Sequence, residues 1–138
     1  MITTTQNNIA CDSANIAVQE AVKKAQELGI KINASVCDGA GIEMSFLRMT
    51  GAFIHSIDIA RDKAYTAASF GFPTEDWPSV FKSAPELEDG IVRRDRLVTF
   101  GGGLPIKLDG NLVGAIGVSG GTAEEDVACA QAGLNAIG

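Results

Sequence analysis

The chain has 138 residues, 46% hydrophobic and 20% charged, with 17 acidic against 11 basic side chains and a net charge of −6. That length and balance suit one globular domain burying a core without disulfide or metal staples, and they exclude intrinsic disorder. The negative charge, with no basic run or aromatic-studded basic face, argues against a nucleic-acid partner.

The opening residues 1–8 are polar and lack the basic start and apolar stretch of a signal peptide. No apolar run approaches the roughly 18 residues of a membrane span, so no membrane partner is expected. Cys11, Cys37 and Cys129 are odd in number and without CxxC spacing. They read as small buried residues of a reducing compartment, and the cytoplasm is the expected location.

Residues 13–28 carry apolar side chains at Ala17, Val18, Ala21, Val22, Ala25 and Leu28, the stripe of an amphipathic helix with Asp12 or Ser13 as its cap and Gly29 as its stop. Residues 32–37 and 42–46 alternate as half-buried strands do, joined by the turn Asp38-Gly39-Ala40-Gly41, which predicts a β-hairpin. A second helix follows, with Phe53, Ile57, Ala60, Ala64, Ala67 and Ala68 as its inner stripe and Gly71 and Pro73 ending it. Its Asp58, Arg61, Asp62 and Lys63 read as a solvated polar arc or an oligomer contact.

Periodicity dissolves over residues 72–96, apart from a short helical turn near Trp77, Val80 and Phe81. A connection of that length is either a binding loop or lid, or a surface excursion pinned by Trp77. Leu97 to Phe100, Leu104 to Leu108 and Asn111 to Val118 read as strands, the last two joined by Asp109-Gly110. The final helix, 123–137, places Val127, Ala130, Leu134 and Ile137 on one face. The order is α-β-β-α-(loop)-β-β-β-α: an α+β fold with an antiparallel sheet of about five strands flanked by helices.

Two glycine-rich stretches, Gly101-Gly102-Gly103-Leu104-Pro105 and Gly114 to Thr122, stand out. The second delivers the chain to Thr122 with Glu125 three residues on, a capping-box signature. Its Ser119, Gly120, Gly121 and Thr122 either form a tight connector or bring helix N–H groups to an anionic ligand. Gly102 and Gly103 mark a bulge, a bend or a close approach to the backbone.

Among charged residues, Arg48 is a candidate carboxylate clamp. Arg93, Arg94 and Arg96 form the only dense positive cluster, able to close on the glycine turn from the other side. Asp38 either makes its turn or moves a proton. His55, the only histidine, is a candidate general base or iron ligand, or an exposed helix residue. No HExxH, paired histidines, cysteine cluster, GxSxG or GxGxxG occurs, so neither a metal site nor a dinucleotide site is expected.

Several stretches together resemble the haem-binding GlcG/HbpS-like family, which includes the C-terminal domain of PduO-type corrinoid adenosyltransferases. They are Val36 to Gly41, Arg48-Met49, Asp58 to Ala67, Gly101 to Ile106, and Gly114 to Thr122 with Asp126. The resemblance covers almost the whole chain. It implies a profilin-like fold, assembly into dimers, tetramers or octamers, and haem as the cofactor of some members; others lie among catabolic genes for glycolate, diols or aromatic acids. In the adenosyltransferase-type domain a histidine on the first helix holds haem, whereas residues 13–28 here contain none. The leading functional expectation is a cytoplasmic homo-oligomer binding a small, mostly apolar anionic ligand such as haem. The alternative is a metal-independent hydrolase, hydratase or isomerase acting on a small organic acid, and a third reading is a scaffold with no small ligand.

Overall fold

The computed structural model describes all residues, 1–138. Helix α1 spans Cys11–Leu28, strands β1 and β2 Asn33–Asp38 and Glu43–Arg48, and helix α2 His55–Phe70. A 3-10 turn at Thr74–Asp76 leads into short helices α3, Trp77–Ser83, and α4, Pro85–Ile91; strands β3 and β4, Gly103–Leu108 and Asn111–Ser119, precede helix α5, Ala123–Ala136. The fold is α+β, with one antiparallel sheet in the order β2-β1-β4-β3.

The local chemistry of the turns explains both hairpins. Asp38 accepts hydrogen bonds from the backbone N–H groups of Ala40 (2.8 Å) and Ile42 (3.1 Å), so its carboxylate builds the first turn. Asp109 and Gly110 both have positive φ, 52° and 79°, as the two-residue turn between paired Leu108 and Asn111 requires. Helices α1 and α2 both end on a left-handed glycine, Gly29 and Gly71.

The sheet has four strands, not about five. Leu97 to Phe100 runs as irregular chain against α2: Val98 N–H donates to Thr66 Oγ1, and the same hydroxyl donates to the Arg96 carbonyl. Its side chains do not sort onto two faces as a strand's would: Val98 is buried, whereas Phe100, two residues on, is exposed. The excursion holds two short helices beside the aromatic group Phe70, Phe72, Trp77 and Phe81.

Alternation sorts the sheet's side chains onto two faces. Ala34, Val36, Ile116, Val118, Leu104 and Ile106 face the main core with α1 and α5. Cys37 and Ala115 face α2, against Ala64, Ala67 and Ala68. Gly117 lies on that second face, where a Cβ would run into the Ala60 carbonyl of α2. The alanine stripe is therefore spent inside the chain, holding α2 close to the sheet. Three helical assignments shift: Phe53 precedes α2 and is exposed, Lys63 is buried among the alanines, and α5 buries Asp126, Cys129, Ala130 and Gly133.

Candidate functional site

The glycine turn meets an anion of the chain's own. Thr122 and Glu125 form the capping box, Thr122 N–H donating to Glu125 Oε1 (2.9 Å) and Glu125 N–H to Thr122 Oγ1 (3.2 Å). Gly121 N–H donates to Asp126 Oδ1 at 2.9 Å. The other oxygen of that carboxylate, Oδ2, accepts from Lys63 Nζ at 2.9 Å, and the ammonium also donates to the Val118 carbonyl at 2.8 Å.

Both partners are buried. Burial pulls the Lys63 ammonium below its ordinary pKa against the opposing pull of Asp126, and pushes the Asp126 carboxyl up against Lys63. Gly102, at φ 130°, makes room for this pair: a Cβ there would lie 2.6 Å from Lys63 Nζ, and one at Gly103 would strike the Lys63 backbone. The polar-arc reading of Lys63 is thus corrected. Asp126, spaced to sit under a turn whose N–H groups needed an acceptor, was the available signal.

The sequence candidates divide between two ends of the sheet. Arg48, Asn33 and Ser119 are aligned cross-strand partners on β2, β1 and β4. Ser119 is two residues beyond Gly117, so this row lies on the α2 face. Where α2 begins, the loop entering it is pinned to the row: Arg48 Nη2 donates to the Ala52 carbonyl (2.8 Å) and Asn33 Nδ2 to the Phe53 carbonyl (3.2 Å). Met49 N–H donates to the Ile32 carbonyl, and a Cβ on Gly51 would lie 3.0 Å from Lys31 Nζ, which places that ammonium over the loop.

This loop presents Phe53 and Ile54, 67% and 77% exposed, followed by the exposed His55. Gly120, at φ 140°, is pressed against the Lys31 carbonyl, and Gly121 against Ile30 and Glu125. Arg48, His55, Ser119, Gly120, Gly121 and Thr122 therefore gather at one end, with Lys31 and Asn33, which the sequence did not flag, at its centre. Asn33 Oδ1 is buried there without a hydrogen-bond partner.

Asp38 is at the other end of β1, five residues from Asn33 or about 17 Å along the strand. Arg93 and Arg94 are exposed, and Arg94 borders a hollow with Tyr65, Thr66 and Phe70, about 15–20 Å along α2 from His55. Arg96 stacks on Tyr65 and pairs with Asp62. The arginine cluster does not close over the glycine turn, and Asp38 and Arg48 do not face one substrate.

A separate groove of about 650 Å3 lies between the N-terminal segment, β3 and α5, lined by Ile9, Ile106, Val113, Leu134 and Ile137 with Lys107 at its rim. No histidine, cysteine, methionine or tyrosine lines it. No group of three or more His, Cys, Asp or Glu side chains is placed to hold a metal ion, and no helix is long and apolar enough to cross a membrane.

The family model described as "Haem degrading protein HbpS-like" matches residues 9–135. The chain belongs to the HbpS-like family. An uncharacterised 15.0 kDa protein from the dhaT-dhaS intergenic region of Citrobacter freundii is 36% identical over 128 residues, covering 92% of this chain and 90% of that protein. A double mutant of Streptomyces reticuli HbpS superposes with a TM-score of 0.88 at 31% identity, covering 99% of this chain and 91% of that one. The PduOC:haem complex superposes with a TM-score of 0.84 at 32% identity, covering 94% of this chain and 95% of that one.

Proposed function

We propose that this HbpS-like chain is a binding module for haem or a haem-like ligand, an extended apolar molecule carrying carboxylates, and that it works as a cytoplasmic homo-oligomer of single-domain protomers. The observation that carries the reading is the β1–β2–α2 end. Two bare apolar side chains on a pinned loop precede the chain's one imidazole at the start of α2, with Arg48 of β2 bonded to that loop and Lys31 lying over it, in a fold that also matches a haem complex along its length.

The donor set fits the group at this end and not in the groove. Haem asks for apolar surface, cations for its propionates and an axial donor to iron. Phe53 and Ile54 offer the first, Lys31 and Arg48 the second, His55 the third, whereas the groove has apolar walls and Lys107 but no iron donor. When bound, haem supplies electron-transfer or gas-ligand chemistry at its iron.

The chain's own residues bind and orient. Arg48 spends one of its donors on the Ala52 carbonyl and keeps others for a carboxylate. A hydrogen bond to such a charged group is worth about 1.5–3 kcal/mol. Ser119 and Gly120–Thr122 form the adjoining wall, while Gly102 and Gly103 act from behind through Lys63. Assembly draws on the exposed Ile42, Phe100 and Leu108 rather than on the α2 alanines.

Titration of the tag-free protein with hemin tests the reading: a saturable Soret shift at about one haem per protomer is expected. Absence of any protein-dependent shift contradicts it. Light scattering should report a multiple of the 14.3 kDa protomer, and a monomer at micromolar concentration removes the oligomer.

A further inference from the structure

We infer that His55 is the single axial iron ligand, supplied from the start of α2 and not from α1, and that the opposite coordination position is left open to an added small ligand. This rests on the haem reading above and deepens it. Three observations carry it.

First, the backbone that carries the imidazole is anchored. The segment before it is tied by Arg48 to the Ala52 carbonyl and by Asn33 to the Phe53 carbonyl, and Ser56 N–H donates to that same Phe53 carbonyl at 3.1 Å. The backbone from 52 to 56 therefore has few alternatives, and His55 projects from a fixed base. Second, the two residues before it are the most exposed large apolar side chains of the chain outside its first two residues. Bare apolar side chains on a tied loop next to an imidazole in sequence, with Lys31 and Arg48 against the same loop at Gly51 and Ala52, match an amphipathic ring with an acidic edge more closely than they match water.

Third, no second iron donor accompanies it at this end. Met49 is the nearest soft donor in sequence, and its sulfur is engaged by Ile32 N–H at 3.3 Å. Cys37 and Cys129 are buried, and burial raises their thiols to about 11, so neither offers a thiolate. Helix α1 has no histidine. One protein ligand leaves one axial position for an exogenous donor such as cyanide or imidazole.

The test compares hemin binding by tag-free wild type, His55→Ala and Phe53→Ser/Ile54→Ser, using Soret and visible absorbance and electron paramagnetic resonance. Circular dichroism melts serve as the fold control, since all three positions are exposed. Wild type should give a high-spin ferric spectrum that turns low-spin with cyanide. Because His55→Ala removes the ligand itself, it should lose at least the roughly 10–100-fold that loss of a ligand's supporting partner costs. Millimolar imidazole should restore binding to His55→Ala and bring it to the low-spin band that wild type shows with the same imidazole added. The Phe53/Ile54 variant should weaken binding while keeping the wild-type band positions.

If His55→Ala takes up haem with wild-type affinity and spectrum, the axial assignment is overturned while haem binding stands. A low-spin wild-type spectrum without added ligand overturns the open position. If wild type takes up no haem, the underlying reading fails and this inference with it.

Discussion

Lys63 and Asp126 hold the centre of the molecule together by a pair that would be costly to halve. Their 2.9 Å contact lies out of water, where each charge is tolerated because the other is there. Asp126→Ala should therefore lower stability by about 3–5 kcal/mol in denaturant melts, the range for stranding a buried charge. Lys63→Met with Asp126→Leu should recover most of that loss; equal losses in the single and double variants would show that the backbone hydrogen bonds, not the charge, are what matter. The thiols give a second residue-scale expectation. Cys37 and Cys129 are buried, and burial raises both to about 11, whereas Cys11 is exposed. A thiol reagent at neutral pH should modify one cysteine in the native protein and three after unfolding. A folded-state thiol pKa above the ordinary 9.0 means that the folded state keeps protons the unfolded chain loses. Stability should be insensitive to these groups below pH 9 and should fall as pH rises from 9 to about 11. A flat alkaline limb would contradict their burial.

At the scale of elements, the junction of β4 with α5 joins a cap to a close-packed glycine. The cap is local and replaceable: Thr122→Ala should cost about 1 kcal/mol. Gly120 differs, because its φ of 140° and the Lys31 carbonyl both oppose a side chain. Gly120→Ala should cost more than the cap variant, on the order of 1–3 kcal/mol, and should disturb Lys31 and with it ligand binding. Urea melts with hemin titrations separate the two effects, and a Gly120→Ala variant as stable as wild type would contradict the close approach. This junction also shows what was legible from sequence. The capping box, both hairpin turns and the glycine stops of α1 and α2 depend on residues within a few positions, and each is found where its signature lies. Leu97 to Phe100 also reads as a strand, but its Val98 N–H goes to Thr66 and not to a neighbouring strand, a fact settled across 32 residues of chain.

For the whole molecule, sequence reasoning could name Arg48, His55 and the Ser119–Thr122 turn but could not tell which of them meet. Register decides it, by aligning Arg48, Asn33 and Ser119 and leaving Asp38 and the arginine cluster elsewhere. Lys63 was hidden for a related reason: in the run Asp58, Arg61, Asp62, Lys63 only one charge turns inward, and its partner is 63 positions away. Lys31 and Asn33 carried no motif and are placed only by the loop that packs over them. On the haem reading, the β1–β2–α2 end holds the ligand. Amide 1H–15N spectra recorded while the diamagnetic analogue zinc protoporphyrin is added test it most directly. Shifts are expected to cluster at Lys31–Asn33, Arg48–Ser56 and Ser119–Gly120. Shifts confined instead to Ile9, Ile106, Lys107 and Leu134 of the groove would contradict it.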